Sequence, residues 1–249
     1  MEDLIVARCS KVHRIYVLGG RGTCCSDDPR LPGGRHPLAE GGTSSPQSST
    51  TTIPQQIVVE GGARVDVVVL VYPGVSADIK LDVHLVGEGA EANIYGAYVC
   101  GGDEKVKIAV DMHHDVPHCN SRQLFKGIAG GRSRVDFYGK IIVAQDAQRT
   151  EAYQENHNIL LSEEAKVDTK PQLEIYADDV KCSHGATIGR LNEEEQFYMR
   201  SRGISLEDAK VLQMISFIAP VLENIQDEAH REKVAAEFEA DIRNIIRAI

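Results

Sequence analysis

The chain has 249 residues and 42% hydrophobic content, enough for one large domain or two small ones with a packed core. Its formal net charge of -10 argues against a nucleic acid or an anionic membrane surface as the main partner, because both would repel it. The sequence has no apolar run near the roughly 20 residues of a spanning helix, no paired cysteine spacing and no secretory signal in residues 1–10. We therefore expect a cytoplasmic protein without membrane segments.

Residues 1–56 are predicted to form an extended amino-terminal arm. The stretch 21–56 is rich in Gly, Ser, Thr and Pro and has almost no apolar periodicity. It contains Cys24 and Cys25, but adjacent cysteines without a second pair lack the usual ligand spacing of a metal site. We expect no metal site in this arm.

Residues 57–190 consist of short β segments separated by Gly or acidic turns. Apolar and polar residues alternate, so each segment has one apolar row that must be covered. The rows are Ile79, Leu81, Val83 and Leu85; Val106, Ile108, Val110 and Met112; and Val135, Phe137, Ile141 and Val143. No helical pattern interrupts them, which excludes an α/β sheet and leaves a sandwich, a barrel or a coil of stacked β rungs. The scarcity of NG and DG hairpin turns favours stacked rungs, although the pattern alone leaves all three open.

Residues 191–249 change to a helical pattern and are predicted to form a carboxy-terminal helical subdomain. Asn192, Ser205 and Asp227 are placed to cap the starts of three helices, and Gly203 suits the residue that ends the first. In the second helix, Leu206, Ala209, Leu212 or Val211, and Ile215 form an apolar stripe, and in the third Val234, Phe238, Ile242, Ile245 and Ile249 do so. The last stripe predicts either packing on the protein's own core or a surface for a partner.

Cys182 and His184 are the strongest candidates for metal chemistry. On a strand, residues two apart point to the same face, about 6.6 Å apart at roughly 3.3 Å per residue. A thiolate and an imidazole so placed can ligate iron, copper, zinc or a cluster edge. A closed site needs about four ligands, so the others must come from the region of His113, His114, His118 and Cys119 or from a second subunit. The alternative is a buried thiol beside a hydrogen-bonded histidine.

Three further groups offer weaker interpretations. His113 and His114 would point to opposite faces of a strand, whereas His114 and His118 could share a metal in a flexible turn. Asp178 and Asp179 could be an acid–base pair, but a turn is the simpler role. Cys182 could also be the nucleophile of a Cys–His hydrolase, although no oxyanion loop accompanies it. No phosphate-binding loop is present.

The segments PHCNSRQLFKGI, SRVDFYGKIIVAQDAQRTEAYQENHNILLS, PQLEIYADDVKCSHGATIG and EEQFYMRSRGI, between His118 and Ile204, resemble the core of the SufB/SufD family, in the same order. Gly185 after His184 resembles the SufD branch, since SufB chains usually carry Glu there. The resemblance implies a mainly β protein, a right-handed parallel β-helix with carboxy-terminal helices. It also implies a non-catalytic scaffold subunit for iron–sulfur cluster assembly.

The resemblance also implies partners and site residues. His184 matches a SufD histidine, and Cys182 the cysteine beside it, for a transient iron or cluster site completed by a partner subunit; no cofactor is expected to stay bound. The expected partners are a SufB-like subunit or a second copy of this chain, and a SufC-like ATPase on the helices of residues 191–249. Two departures are the short chain, in which the arm replaces the family's long helical amino-terminal region, and Gly185 in place of Glu.

Two other functions stay open on the sequence. One is a β-helical carbohydrate-active enzyme that uses Asp178 and Asp179. The other is a purely structural assembly subunit that never touches iron.

Overall fold

A computed structural model describes residues 3–19 and 53–248. Within these residues the strands are β1 (Leu4–Val6), β2 (Lys11–Leu18), β3 (Gln56–Val59), β4 (Arg64–Val71), β5 (Ala77–Leu85), β6 (Glu91–Cys100), β7 (Lys105–His114), β8 (Asn120–Ala129), β9 (Arg134–Val143), β10 (Glu151–Leu160), β11 (Lys166–Ile175) and β12 (Lys181–Gly189). Three helices follow: α1 (Glu193–Ser201), α2 (Leu206–Leu222) and α3 (Glu228–Ala248).

The strands form two parallel sheets. Odd-numbered strands pair in the order β1-β3-β5-β7-β9-β11, and even-numbered strands in the order β2-β4-β6-β8-β10-β12. Each turn of the chain thus adds one strand to each sheet, and both sheets grow in the same direction. This is a parallel β-helix, which confirms the stacked-rung prediction and excludes hairpin sandwiches and barrels.

The core lies between the two sheets. Every residue of the three predicted apolar rows is buried there. Because consecutive rungs pair in register, equivalent side chains stack along the helix, as Ala92, Ser121, Ala152 and Cys182 do in the even-numbered sheet. The side chains above and below each residue are therefore those of its register partners on the neighbouring rungs.

The predicted arm of residues 1–56 needs a correction, because β1 and β2 belong to the sheets and β3 begins at Gln56. Strand β2 is covered on both sides: Val12 and Tyr16 pack on the core between the sheets, whereas Ile15 and Val17 pack on the cluster under the helices. Apolar residues on both faces weaken the period-two contrast that marks a half-buried strand. Residues 20–52, with Cys24 and Cys25, lie outside the described residues.

The three helices begin where the sequence predicts, and α1 ends where Gly203 predicts. Asn192 accepts hydrogen bonds from the backbone of Glu194 and Glu195, and Ser205 accepts one from Asp208. Asp227 accepts from the backbone of Ala229 at 3.0 Å, and Gly203, with φ +89°, follows the end of α1. These caps satisfy backbone groups that a helix end otherwise leaves unpaired.

Helices α2 and α3 cover the outer face of the even-numbered sheet. In α3, Val234, Phe238 and Ile242 are buried in a second apolar cluster with Val68, Leu70 and Val99, among others. The ring of Phe238 stacks on Tyr72 at 4.4 Å. The described part of the α3 stripe therefore packs on the protein's own sheet, whereas Ile249 lies outside the described residues. In α2, Ala209 and Val211 are buried, whereas Leu206 and Leu212 are exposed.

Candidate functional site

Cys182 and His184 lie on β12, the last strand of the even-numbered sheet. Register pairing places Cys182 next to Ala152 and His184 next to Gln154 on β10. Both residues therefore lie on the same face of the strand, as their spacing predicts, and continue rows that point between the sheets. Cys182 is half-buried against the core, and His184 is exposed because no further rung covers it among the described residues.

A row of buried amides leads to His184. Gln154 donates a hydrogen bond to Oε1 of Gln123 at 2.9 Å, and both side chains are buried. Nε2 of Gln123 and Oε1 of Gln154 are buried without a hydrogen-bond partner. Unpaired amide atoms are costly in an apolar interior. The end of the β-helix at His184 is therefore polar inside as well as at its surface.

Burial controls the chemistry of Cys182. Removal of solvent raises the pKa of its thiol, and a hydrogen bond with the backbone of Ala152 opposes this shift more weakly. The thiolate is the form that binds iron, so a metal at Cys182 must displace a proton. The raised pKa keeps the Cys182 thiol protonated, so the residue is not an activated nucleophile, which disfavours the hydrolase interpretation.

The region from His113 to Cys119 does not form a shared site with Cys182 and His184. His113 and His114 point to opposite faces, as predicted: His113 is on the outer face, whereas His114 is buried and shares a hydrogen bond of 2.8 Å with Ser121. Burial, with a smaller effect of His113, lowers the pKa of His114 to about 4. His118 lies in a turn with φ +61°, 3.8 Å from a carboxylate oxygen of Glu88.

Cys119 is also buried, and its thiol donates a hydrogen bond to the carbonyl oxygen of Gly87 at 3.4 Å. Among the residues that the structure describes, the histidine, cysteine and acidic side chains that come together as a group of three are Asp82, His84 and His113. This group contains neither Cys182 nor His184, and sequence reasoning missed it. The register of β5 and β7 brings these residues together, and a single sequence does not reveal that register.

Asp178 and Asp179 lie in the exposed turn between β11 and β12. The carbonyl of Asp179 accepts a hydrogen bond from the backbone N–H of Arg149 at 2.6 Å, and its own N–H donates to Oε1 of Gln148 at 2.9 Å. These contacts hold the turn on the preceding rung. They fit the turn role and give the carbohydrate-enzyme interpretation no support.

The last rung leaves two strand edges open. In the described part of the chain, β11 pairs with β9 and β12 pairs with β10, and neither has a strand on its other side. The N–H of Tyr176 donates to Val143 on the β9 side at 3.0 Å, so by alternation the ring of Pro171 occupies the free edge of β11. Strand β12 contains no proline, so its free edge keeps its donors. Such an edge is a template for another chain.

Several exposed apolar residues lie near this end and on α1. Ile175, Tyr176 and Ile188 are exposed on or beside the last rung, and Phe197 and Tyr198 on α1 are 74% and 60% exposed.

In the ranges 3–19 and 53–248, no helix combines the length and apolarity needed to cross a membrane.

Comparison with known proteins places this geometry in a family. Residues 44–217 match the family model described as SUF system FeS cluster assembly, SufBD core domain. The chain is 50% identical over 125 residues to the iron-sulfur cluster assembly protein SufD of Escherichia coli, covering 50% of this chain and 30% of that protein. It is 38% identical over 155 residues to the chloroplastic protein ABCI7 of Arabidopsis thaliana, covering 62% of this chain and 33% of that protein.

A SufBD family protein of Synechocystis is 47% identical over 109 residues, or 44% of this chain and 24% of that protein. The matched part thus spans a third or less of each of these three relatives. The family model covers well over half of the chain and includes the β-helix from β3 to β12. This chain therefore belongs to the SufB/SufD family of the SUF iron–sulfur cluster assembly system and is SufD-like.

Proposed function

We propose that this chain is a scaffold subunit of iron–sulfur cluster assembly that pairs at the open end of its β-helix with a SufB-like subunit or a second copy of itself. The observation that carries the proposal is the position of Cys182 and His184 on β12, whose free edge has no strand partner among the described residues. A partner strand on that edge would extend both the sheet and the row of inward-pointing side chains.

Cys182 and His184 supply two ligands of the roughly four that a metal or cluster requires, so the partner completes the site. The iron or cluster is cargo: it is held at the seam during assembly and then passed on. This role needs no turnover by the chain itself. A cytoplasmic location and the absence of a stably bound cofactor are part of the same proposal.

We place the contact with a SufC-like ATPase on α1 and the start of α2. Phe197 and Tyr198 are exposed on α1, and Leu206 and Leu212 are exposed on α2. The α3 stripe is a poorer surface, because Phe238 and Ile242 are buried against the sheet. Removing residues from Asp227 onward would uncover this cluster, so substitutions on α1 are the better test of docking.

The experiment uses the full chain, co-expressed with a SufB-like subunit and a SufC-like ATPase. The complex is reconstituted anaerobically with iron and sulfide, and bound iron and visible absorbance are measured for wild type, Cys182→Ser and His184→Ala. The controls are Cys9→Ser, at the opposite end of the β-helix, and His157→Ala, whose ring contacts Thr187 on the outer face of the even-numbered sheet and so lies outside the inner row of His184. We expect the two site variants, unlike the controls, to lose absorbance while the complex keeps its composition.

Equal absorbance in all variants would show that Cys182 and His184 do not bind the cluster, and it would favour a purely structural subunit. Failure of the chain to pair at all would contradict the proposal as a whole. Phe197→Ser with Tyr198→Ser should remove the ATPase from the complex and leave the other pairing intact. Retention of the ATPase in that variant would place its contact elsewhere.

A further inference from the structure

The outer face of the odd-numbered sheet carries a pair of stacked histidines. His84 on β5 and His113 on β7 are register partners on neighbouring rungs. Their rings lie 4.2 Å apart between centroids, with an angle of 10° between their planes. Both side chains are about a quarter exposed and stand on strands inside the sheet. The pairing of the strands therefore holds the two imidazoles side by side.

A carboxylate oxygen lies against both rings. Oδ1 of Asp82 is 3.1 Å from Nε2 of His84 and 3.1 Å from Nε2 of His113. This oxygen is buried, yet it has no hydrogen bond. A simple ion pair between an imidazolium and Asp82 would be expected to make such a bond. The carboxylate oxygen and the two ring nitrogens therefore lie close together, but the oxygen forms no hydrogen bond with either ring.

The distances from the carboxylate oxygen to the two nitrogens fit a metal ion, and the stacked rings must turn out of parallel for both Nε2 lone pairs to meet it. Zinc binds histidine nitrogen and carboxylate oxygen at about 2.0–2.2 Å, so ligand atoms 90° to 110° apart around one ion are separated by roughly 2.9–3.5 Å. The two separations of 3.1 Å fall in this interval. Two imidazoles and a carboxylate suit divalent first-row metals such as zinc and iron, and leave coordination positions for water.

A second carboxylate orients one of the rings. Nδ1 of His84 lies 3.4 Å from Oδ2 of Asp115, so the nitrogen that faces away from Asp82 has an acidic partner. A carboxylate behind a metal-binding histidine is the usual arrangement, because it fixes the tautomer and makes the other nitrogen a better ligand. This contact is independent of the group of three.

The surrounding charges also favour a cation. Asp111 is the register partner of Asp82, and its buried Oδ1 has no hydrogen bond either. Lys140, the register partner of Asp111, lies 3.1 Å from Glu174, which offsets its positive charge. Three carboxylates, those of Asp82, Asp111 and Asp115, thus surround two imidazoles on this face.

We propose that Asp82, His84 and His113 form a binding site for a divalent first-row transition metal on the outer face of the odd-numbered sheet. The site goes beyond the proposed scaffold function and does not depend on Cys182, His184 or a partner subunit. Water fills the remaining coordination positions, so the bound ion is exchangeable from solvent.

The test is metal binding by the full chain, stripped with a chelator and dialysed. Co²⁺ is titrated by its visible absorbance, and Zn²⁺ is then added to displace it. Wild type should bind one Co²⁺, and His84→Ala and His113→Ala should each weaken that binding at least tenfold. Asp115→Asn should weaken binding by about 10- to 100-fold, as loss of a partner behind a ligand does.

His157→Ala is the matched control, because His157 lies on the even-numbered sheet and contacts Thr187. The double variant Cys182→Ser and His184→Ala should keep the cobalt spectrum, which separates this site from the proposed cluster site. Circular dichroism and the urea midpoint show that each variant is folded. Unchanged binding in His84→Ala and His113→Ala, or no binding by wild type, would overturn the proposal and leave an ion-pair cluster only.

Discussion

His184 lies directly beyond Gln154 in the inner row of the even-numbered sheet, and Gln154 in turn donates a hydrogen bond to Gln123 at 2.9 Å. The row therefore continues from two buried amides to an exposed imidazole at the open end of the β-helix. Because the rungs are in register, Cys182 extends the neighbouring row in the same way, beyond Ser121 and Ala152. The residues proposed to meet the partner are thus fixed by the stacking of the rungs beneath them.

Alkylation of cysteines should distinguish the open end from the core. At pH 7.5 we expect Cys182 to react more slowly than exposed Cys9, because partial burial raises the pKa of the Cys182 thiol. Cys100 should react only after unfolding, since burial raises its pKa to about 12. Peptide mass spectrometry after timed iodoacetamide treatment measures each rate. Pairing with a partner subunit should then slow the labelling of Cys182 and leave that of Cys9 unchanged. Labelling of Cys182 in the complex as fast as in the unpaired chain would contradict a partner contact at the open end.

Ala186→Pro should weaken pairing at β12 without unfolding the chain. The N–H of Lys181 donates to Thr150 on the β10 side at 2.9 Å, so by alternation the N–H of Ala186 faces the free edge. Proline there removes a donor that only a partner strand would use. Sedimentation velocity should show a smaller fraction of the paired species for Ala186→Pro than for wild type, and the urea midpoint of the variant should be unchanged.

Thr187→Pro is the matched control, because it removes a donor on the β10 side. We expect it to lower the urea midpoint, since a ladder hydrogen bond within the sheet is lost. If Ala186→Pro pairs as well as wild type, the partner does not add to the edge of β12.

The sequence predicted the faces of strands better than the contacts between rungs. The alternation of Ile79, Leu81 and Val83 identifies the buried face because side-chain direction depends only on local backbone geometry. The pairing of His84 with His113 depends on the length and path of the chain between them, which periodicity does not encode. For the same reason the same-face placement of Cys182 and His184 was predictable, whereas the site at Asp82 was not.

Strand β2 and helix α2 show a second limit. Burial of both faces of β2 removed the alternation that would have identified it, and the α2 pattern allowed either Val211 or Leu212 to face the core. Only the packing of the helix on the sheet selected Val211. Helix caps were predictable because Asn192, Ser205 and Asp227 act on the backbone two or three residues away.

Gly127→Ala should destabilise the β-helix. Gly127 is the register partner of Tyr98, and a Cβ at Gly127 would overlap the Tyr98 ring. That ring is buried, its hydroxyl donates to Asn158 and accepts from Asn156, and it has little room to move. We expect a loss of about 1–3 kcal/mol in the free energy of unfolding, measured by urea denaturation. In Gly189→Ala, where a Cβ meets nothing within 4 Å, we expect no loss; equal effects would show that the contact with Tyr98 does not determine the packing.

His114 should make the stability of the fold depend on pH between about 4 and 6.5. Burial lowers its pKa to about 4, so in this interval the unfolded chain binds a proton at His114 that the folded chain does not. Stability from this residue is therefore complete above pH 6.5 and falls as the pH decreases toward 4, by about 3 kcal/mol in total. The measurement is urea denaturation of the metal-free protein at pH 7 and pH 5, with His114→Gln compared with wild type. The variant should lose less stability on acidification even if it is less stable than wild type at pH 7. The carboxyl groups that both proteins share contribute equally to the two pH dependences, so they do not affect the difference between them. An equal slope for wild type and His114→Gln would show that His114 takes up a proton without unfolding.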